Sequence, residues 1–283
     1  GVMQIGIYMN LPKKELVVYN KARNFLLANT PDEVTDEILD SYLSLPEPSY
    51  KCLSINELYK RLLFSAQNAN MKTGVIGGSI GGVEKLSSVL FDFDPEQTFL
   101  RYQGNAEKLL DEIVLNLKPK GKIRRTPRSL WPKYCETIIS ASEFLRQFSD
   151  SQEFFEWAES FHRDKKSLAA LPMLIDAEVQ GVGFPLACDF LKELGFTNYG
   201  KPDVHIIEIF EASGLVAKGA TNYQILKAIS RIADSTGFSS YNVDKLFWLI
   251  GSGYFYNHPG IGNKGRVGKM KEAFITSLES ENA

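Results

Sequence analysis

The residues most able to do chemistry lie between positions 168 and 215. Gly181-Val182-Gly183 separates two apolar stretches, 168–179 and 184–191, and Pro185 stands where a first helical turn tolerates proline. Two helices joined by so short a glycine turn leave the turn amides and the second helix's first amides unpaired and pointing together. The helix dipole adds partial positive charge, so the arrangement attracts an anion such as a nucleic-acid phosphate, whatever the base sequence. The same turn also serves as an ordinary close-packed connection, for which glycine permits positive φ. Further on, Lys201-Pro202-Asp203-Val204-His205 sets an aspartate at the mouth of another apolar helix. A carboxylate there either caps the helix or presents a fixed negative charge that stabilises a developing cation and orients a water. One side chain can do both. His205 is read as orienting backbone, binding a phosphate, or sitting half-buried for structural reasons.

The elements that must position these residues read as nearly all helix. Capping boxes are predicted at Thr30-Pro31-Asp32-Glu33, Ser54-Ile55-Asn56-Glu57 and Thr221-Asn222-Tyr223-Gln224. Apolar residues at helical spacing predict further helices near 13–28, 105–117, 131–147, 151–162, 166–179, 184–194, 204–213, 222–236, 242–254 and 266–279. Leu246 to Ile250 reads as a buried helix. No strand alternation and no internal repeat is seen. The glycine-dense stretch 74–82 lacks the Lys-Ser or Lys-Thr and the preceding strand of a phosphate loop, and is expected to be a flexible connection. From Lys118 to Tyr134 the chain carries Lys118, Lys120, Lys122, Arg124, Arg125, Arg128 and Lys133 with no acid, and Pro119, Gly121, Pro127 and Pro132 keep much of it out of helix. Such a loop either holds backbone phosphates or is a solvated linker. A second basic glycine-rich loop, 259–266, reads as touching DNA or closing the domain.

Bulk properties narrow the class. The chain has 283 residues, 44% hydrophobic and 23% charged, an ordinary soluble balance, and a formal net charge of −2. That charge does not advertise a nucleic-acid binder, but local distribution matters more than the sum. No apolar run approaches a membrane span, and Gly1-Val2-Met3-Gln4 lacks the layout of a signal peptide. Cys52, Cys135 and Cys188 are scattered, as are His162, His205 and His258. Paired zinc ligation and four-cysteine iron–sulfur ligation are therefore not expected. Reduced thiols and a cytoplasmic location are.

The segment 168–215 resembles the helix-hairpin-helix DNA glycosylases, the superfamily that includes the endonuclease III and 8-oxoguanine branches. The resemblance is carried by Gly181-Val182-Gly183 with Ala187 four residues on, and by Asp203-Val204-His205 at a helix start after a short loop bearing glycine and proline. Leu62-Leu63-Phe64-Ser65-Ala66-Gln67 is similar to the family's helix facing the opened duplex. The resemblance spans roughly 54–275, with only 168–215 specific. It implies an all-α, two-lobed helical bundle with the active-site cleft between lobes. Residues 1–53 would be N-terminal helices packed on a core of 54–283, with the hairpin motif at 168–195. It also implies base-excision repair: a damaged base in double-stranded DNA is flipped out, and its N-glycosidic bond is hydrolysed with Asp203 as the catalytic carboxylate. Gly181, Val182, Gly183, Pro185, Gln67, Lys122, Arg124 and Arg125 would contact DNA, with His205 in support. Gln67 or Asn68 would fill the gap left by the flipped base. Phe64, Trp131, Tyr134, Phe247, Trp248, Tyr254 and Tyr256 are the aromatics available for the base pocket, with core packing the default for each. No metal or cofactor is implied beyond a monovalent cation at the hairpin. Two departures matter. Bifunctional members carry a Schiff-base lysine two residues after the second hairpin glycine, where this chain has Pro185, so a monofunctional enzyme is expected. The residues after 236 hold no cysteine, unlike the iron–sulfur branch. The alternative on the same fold is a non-catalytic DNA-binding module, which need not keep Asp203. Alkylated purines and oxidised guanine are the lesions such a resemblance suggests.

Overall fold

The structure, a computed structural model, describes residues 13–45, 53–68, 74–253 and 268–281. Within them every regular element is helical: α1 (Lys14–Ala28), α2 (Asp36–Leu43), α3 (Ile55–Ala66), α4 (Val75–Ile80), α5 (Pro95–Tyr102), α6 (Ala106–Leu117) and α7 (Leu130–Leu145). Then follow α8 (Ser151–His162), α9 (Ala170–Glu178), α10 (Phe184–Glu193), α11 (Val204–Ser213), α12 (Asn222–Thr236), α13 (Ser240–Ser252) and α14 (Lys271–Glu281). A 3-10 segment, Val83–Ser88, joins α4 to α5. No described helix is long and apolar enough to cross a membrane. The expected all-α class is the observed one.

Local chemistry explains most helix starts. The boxes at Ser54 and Thr221 form as predicted, each hydroxyl accepting from the third helical amide while Glu57 or Gln224 returns the bond. The box expected at Thr30 does not form. Val34 N donates to the Pro31 carbonyl in a turn, and α2 starts at Asp36 with the Thr35 hydroxyl accepting from Ile38 N. The later hydroxyl is the one that places Leu39 and Leu43 in the core. Residues 75–80 are helical, against the expected flexible loop, because Ile76 and Gly77 are buried. Glycine at 77 lets the backbone close on Gln67, whose Oε1 a Cβ there would approach to 2.8 Å. The helix α5 was not anticipated. Asp94 accepts from Gln97 N at its start and Pro95 occupies the first turn.

The chain forms two compact units, residues 48–196 and residues 1–47 with 197–283. This differs from the division at 53/54 drawn from sequence: the N-terminal helices share a core with the C-terminal ones, and the middle of the chain packs by itself. In 48–196 the central element is α7, which packs against α3, α5, α6 and α9. Eleven of its sixteen residues are buried, with Lys133, Glu136 and Glu143 left exposed. Two phenols tie it to α3: Tyr59 Oη donates to the Ile138 carbonyl at 2.6 Å and Tyr134 Oη donates to the Leu63 carbonyl at 2.7 Å. Burial pushes both phenol pKa values well up, so both stay protonated donors. An aromatic group of Phe144, Phe148, Phe154 and Trp157 closes the α7–α8 end.

In the other unit the central helix is α13, packed against α1, α2, α11, α12 and α14. Its core includes Tyr19, Leu26, Phe210, Ile229, Phe247 and Phe274, and Leu246 to Ile250 are buried apart from the half-buried Trp248. Tyr19 Oη donates to Asn242 Oδ1 at 2.6 Å inside it, and burial pushes that phenol up to about 12. Replacing Tyr59 by Phe removes one buried phenol–carbonyl bond and little volume. Urea unfolding is expected to show a loss of about 1 kcal/mol with an unchanged slope; no loss would mean that bond does not hold α3 to α7.

Candidate functional site

The hairpin is built as its glycines predict. The helix α9 ends at Glu178, Gly181 takes φ +80°, and Gly183 enters α10 extended, with Pro185 in the first turn. Val182 and Phe184 are buried and anchor the turn on either side of Gly183. Two polar side chains of α7 hold it from below. Ser140 Oγ accepts from the Gln180 amide at 2.9 Å, and Thr137 lies so close that a Cβ on Gly181 would stand 2.5 Å from its Oγ1. No side chain caps α10. Among the described residues no backbone carbonyl accepts from the amides of Gly181, Gly183, Phe184 or Leu186. Free donors and the helix dipole thus gather at one exposed turn.

A cleft of about 760 Å³ opens beside the hairpin, lined by Gly181, Val182, Gly183, Thr137, Lys133 and Gln67 among others. The structure therefore brings Gln67 and the hairpin to one cavity. Gln67 itself is only 7% exposed, and its Oε1 accepts from the Gly77 amide at 3.3 Å. It is packed into the cleft wall, and its carbonyl oxygen is already used. Asn68 is half-buried.

The basic loop runs irregularly from α6 to α7, and the Lys120 amide donates to the Ser79 carbonyl. Lys122, Arg124, Arg125 and Arg128 are exposed. Arg125 pairs with Asp111 at 2.6 Å, while Lys122 and Arg124 have no ion pair among the described residues. Of the candidate aromatics, Trp131, Tyr134 and Phe247 are buried. Phe64 is 47% exposed, with the Arg61 guanidinium 5.2 Å from its ring centroid. Tyr254, Tyr256 and the loop 259–266 lie outside the described residues.

Asp203 belongs to the other unit. It is half-buried and caps α11, its Oδ1 accepting from the Ile206 amide at 2.9 Å. His205, one turn in, has its Nδ1 3.2 Å from Lys271 Nζ, and Lys271 also pairs with Glu208 at 2.7 Å. An ammonium only donates, which assigns the imidazole proton to Nε2. Burial, with Lys271 adding to it, holds the His205 pKa below its ordinary 6.5, so the ring is neutral at pH 7. Gly251 of α13 lies directly against that ring and leaves no room for a Cβ. These are the surroundings of a packed structural histidine. Cys135 and Cys188 are buried thiols, and burial pushes Cys135 well up, away from reactivity. Among the described residues no three His, Cys, Asp or Glu side chains converge as a metal site. Sequence reasoning missed Thr137 and Ser140. Their signal was weak: two hydroxyls three apart on one face of a helix that also carries Lys133, Glu136, Ser142 and Glu143.

Comparison with known proteins sets this geometry in context. No family model matches the chain. A curated protein from Korarchaeum cryptofilum, described as "8-oxoguanine DNA glycosylase/AP lyase", is 24% identical over 206 residues, covering 71% of this chain and 82% of that one. Among solved structures, the Methanocaldococcus jannaschii 8-oxoguanine glycosylase/lyase in complex with a 15mer DNA containing 8-oxoguanine superposes with a TM-score of 0.50. It is 18% identical, and the match covers 84% of this chain and 98% of that one. The structural likeness is one of fold: this is the same all-α arrangement.

Replacing Gly181 by Ala puts a side chain at φ +80° and against Thr137. The expected loss is about 1–3 kcal/mol in unfolding free energy, part of which Thr137→Ala should restore. A fully stable Gly181→Ala chain would mean the turn is not held as described. The histidines give a pH signature. The folded pKa values of His205 and of His162 lie below 6.5, the latter depressed by burial. As pH drops through 6.5 the unfolded chain binds protons that the native chain refuses, so stability falls. His205→Gln should make this fall shallower in unfolding curves taken at successive pH values, and an unchanged slope would refute a depressed His205.

Proposed function

We propose that the chain is a DNA glycosylase that removes 8-oxoguanine from duplex DNA by hydrolysis. The observation that carries the reading is the pairing of two features at the spacing the superfamily motif requires: a glycine hairpin with unpaired amides at Gly181 and Gly183, and a carboxylate at a helix start at Asp203. The Korarchaeum relative and the Methanocaldococcus structure, both named for 8-oxoguanine, support the substrate.

Phosphates would bind the hairpin amides and the exposed Lys122 and Arg124, positioning the duplex without reading its sequence. The damaged nucleotide leaves the stack, because a base within a duplex is out of reach. As the N-glycosidic bond breaks, positive charge grows on the sugar. The ionised Asp203 stabilises that charge and orients the attacking water, whose proton it takes up while the base leaves. The cap bond uses one oxygen of Asp203 and fixes its direction. The Korarchaeum and Methanocaldococcus proteins are named as lyases as well. Here the position that carries their superfamily's amine is Pro185, which has none, so the product is an intact strand with an abasic site.

The test is a duplex with one 8-oxoguanine, incubated with excess protein under single-turnover conditions. The native chain should release the free base and leave a strand that breaks only after hot alkali. Asp203→Asn should slow release on the order of 100-fold or more, matching the loss of one preorganised charge-stabilising group, while duplex affinity stays the same. Equal rates in the two proteins would remove Asp203 from the reaction. No base release from any oxidised or alkylated duplex, with DNA binding intact, would leave the non-catalytic binding module.

A further inference from the structure

The loop that delivers Asp203 is stitched to the buried helix α13. At its start the Tyr241 amide donates to the Thr197 carbonyl at 2.9 Å. Four residues on, the Lys201 amide donates to Asp244 Oδ2 at 3.0 Å. The Lys201 carbonyl in turn accepts from the Asp203 amide at 2.8 Å, across the buried Pro202. Gly200 is pressed between α12 and α13, where a Cβ would stand 3.0 Å from Ile229 Cγ2 and 3.3 Å from the Ser240 carbonyl oxygen. Asp203 closes the series with its own cap bond to Ile206 N. The main chain is therefore gripped on both sides of Pro202, immediately before the carboxylate.

Asp244 is 3% exposed. A carboxylate at that depth is unfavourable unless its oxygens are paired, and an apolar side chain would fill the same place in α13 without that penalty. What an apolar side chain cannot do is accept from a loop amide, and the bond from Lys201 is charge-assisted and directional. We infer that Asp244 is a positioning residue for Asp203. Its carboxylate fixes the Lys201 amide, the Lys201 carbonyl fixes the Asp203 amide, and this two-bond relay sets the aim of the Asp203 side chain. The inference rests on the reading of Asp203 as the carboxylate that acts on the sugar.

The experiment uses the full chain and a duplex with one 8-oxoguanine, reading the single-turnover rate of base release and, separately, duplex affinity by fluorescence anisotropy. Asp244→Ala should release base about 10- to 100-fold more slowly, the effect of a misaimed catalytic group, with affinity unchanged. Asp244→Asn keeps an acceptor for the Lys201 amide and should restore most of the rate. The double variant Asp203→Asn with Asp244→Ala should be no slower than Asp203→Asn alone, because a positioning residue has nothing left to position. A purely structural Asp244 would instead lower stability and affinity in every background. Undiminished release by Asp244→Ala, or losses that multiply in the double variant, would overturn the proposal. Should Asp244→Ala fail to fold, hydrogen exchange on the native chain and on Asp244→Asn still decides. The Lys201 amide should be strongly protected in both, and exchange as fast as an exposed loop in the native chain would refute the relay. If Asp203→Asn releases base as fast as the native chain, it is the glycosylase reading that fails, and the exchange result stands apart from it.

Discussion

A loop amide held by a polar side chain on a buried helix is the interaction on which both segments of the proposed site depend. In residues 48–196 the buried helix is α7, and Ser140 takes the Gln180 amide just before the hairpin turns. In the other unit it is α13, and Asp244 takes the Lys201 amide just before Asp203. Each bond nets only about 1–3 kcal/mol, the upper figure for the charged acceptor. That is small against the apolar burial that forms the helices. Its value is directional: apolar packing is indifferent to small rotations of a loop, whereas an amide bond fixes the peptide plane and so the residues beside it.

The same contrast explains why a chain of net charge −2 can be proposed to bind DNA. The hairpin's donors are main-chain amides, which add no formal charge. Formal charge is local: Lys122 and Arg124 stand exposed on one irregular loop, and Arg125 beside them is partly neutralised by Asp111. An exposed bridge of that kind is weak, so Arg125 can exchange Asp111 for a phosphate at little cost. Counting charges over the chain hides both contributions.

What was legible in the sequence follows from the range of the forces involved. Helices with a hydroxyl or carboxylate cap and apolar residues at regular spacing, such as α3 and α12, were readable because both signals are local. The hairpin was readable because glycine at positive φ leaves a mark in composition. At Thr30 two local signals competed, and burial of Leu39 and Leu43 chose the later one. At 74–82 one glycine that looked like flexibility, Gly77, proved to be close packing against Gln67, while Gly74 and Gly81 take positive φ at the ends of α4. The grouping of residues 13–45 with the C-terminal helices was not readable at all, since it depends on pairs such as Tyr19 with Asn242, 223 positions apart. Asp203 could be singled out by its motif. Asp244, 41 positions later in an apolar stretch, could not, because nothing local says which loop amide a buried carboxylate will meet.

A carboxylate proposed to act on a sugar has two conflicting needs, and the N-cap of α11 can meet both. It must remain ionised and available, which favours exposure, and it must point one way, which favours packing. A carboxylate offers about four lone-pair sites, and the Ile206 amide uses one of them on Oδ1. The helix N-terminus sets its partial positive charge beside that carboxylate. The cap therefore does not compete with the proposed chemistry. It supplies half of what that chemistry requires, a fixed negative charge, and the loop clamped by Lys201 and Asp244 supplies the other half, the direction in which that charge is presented.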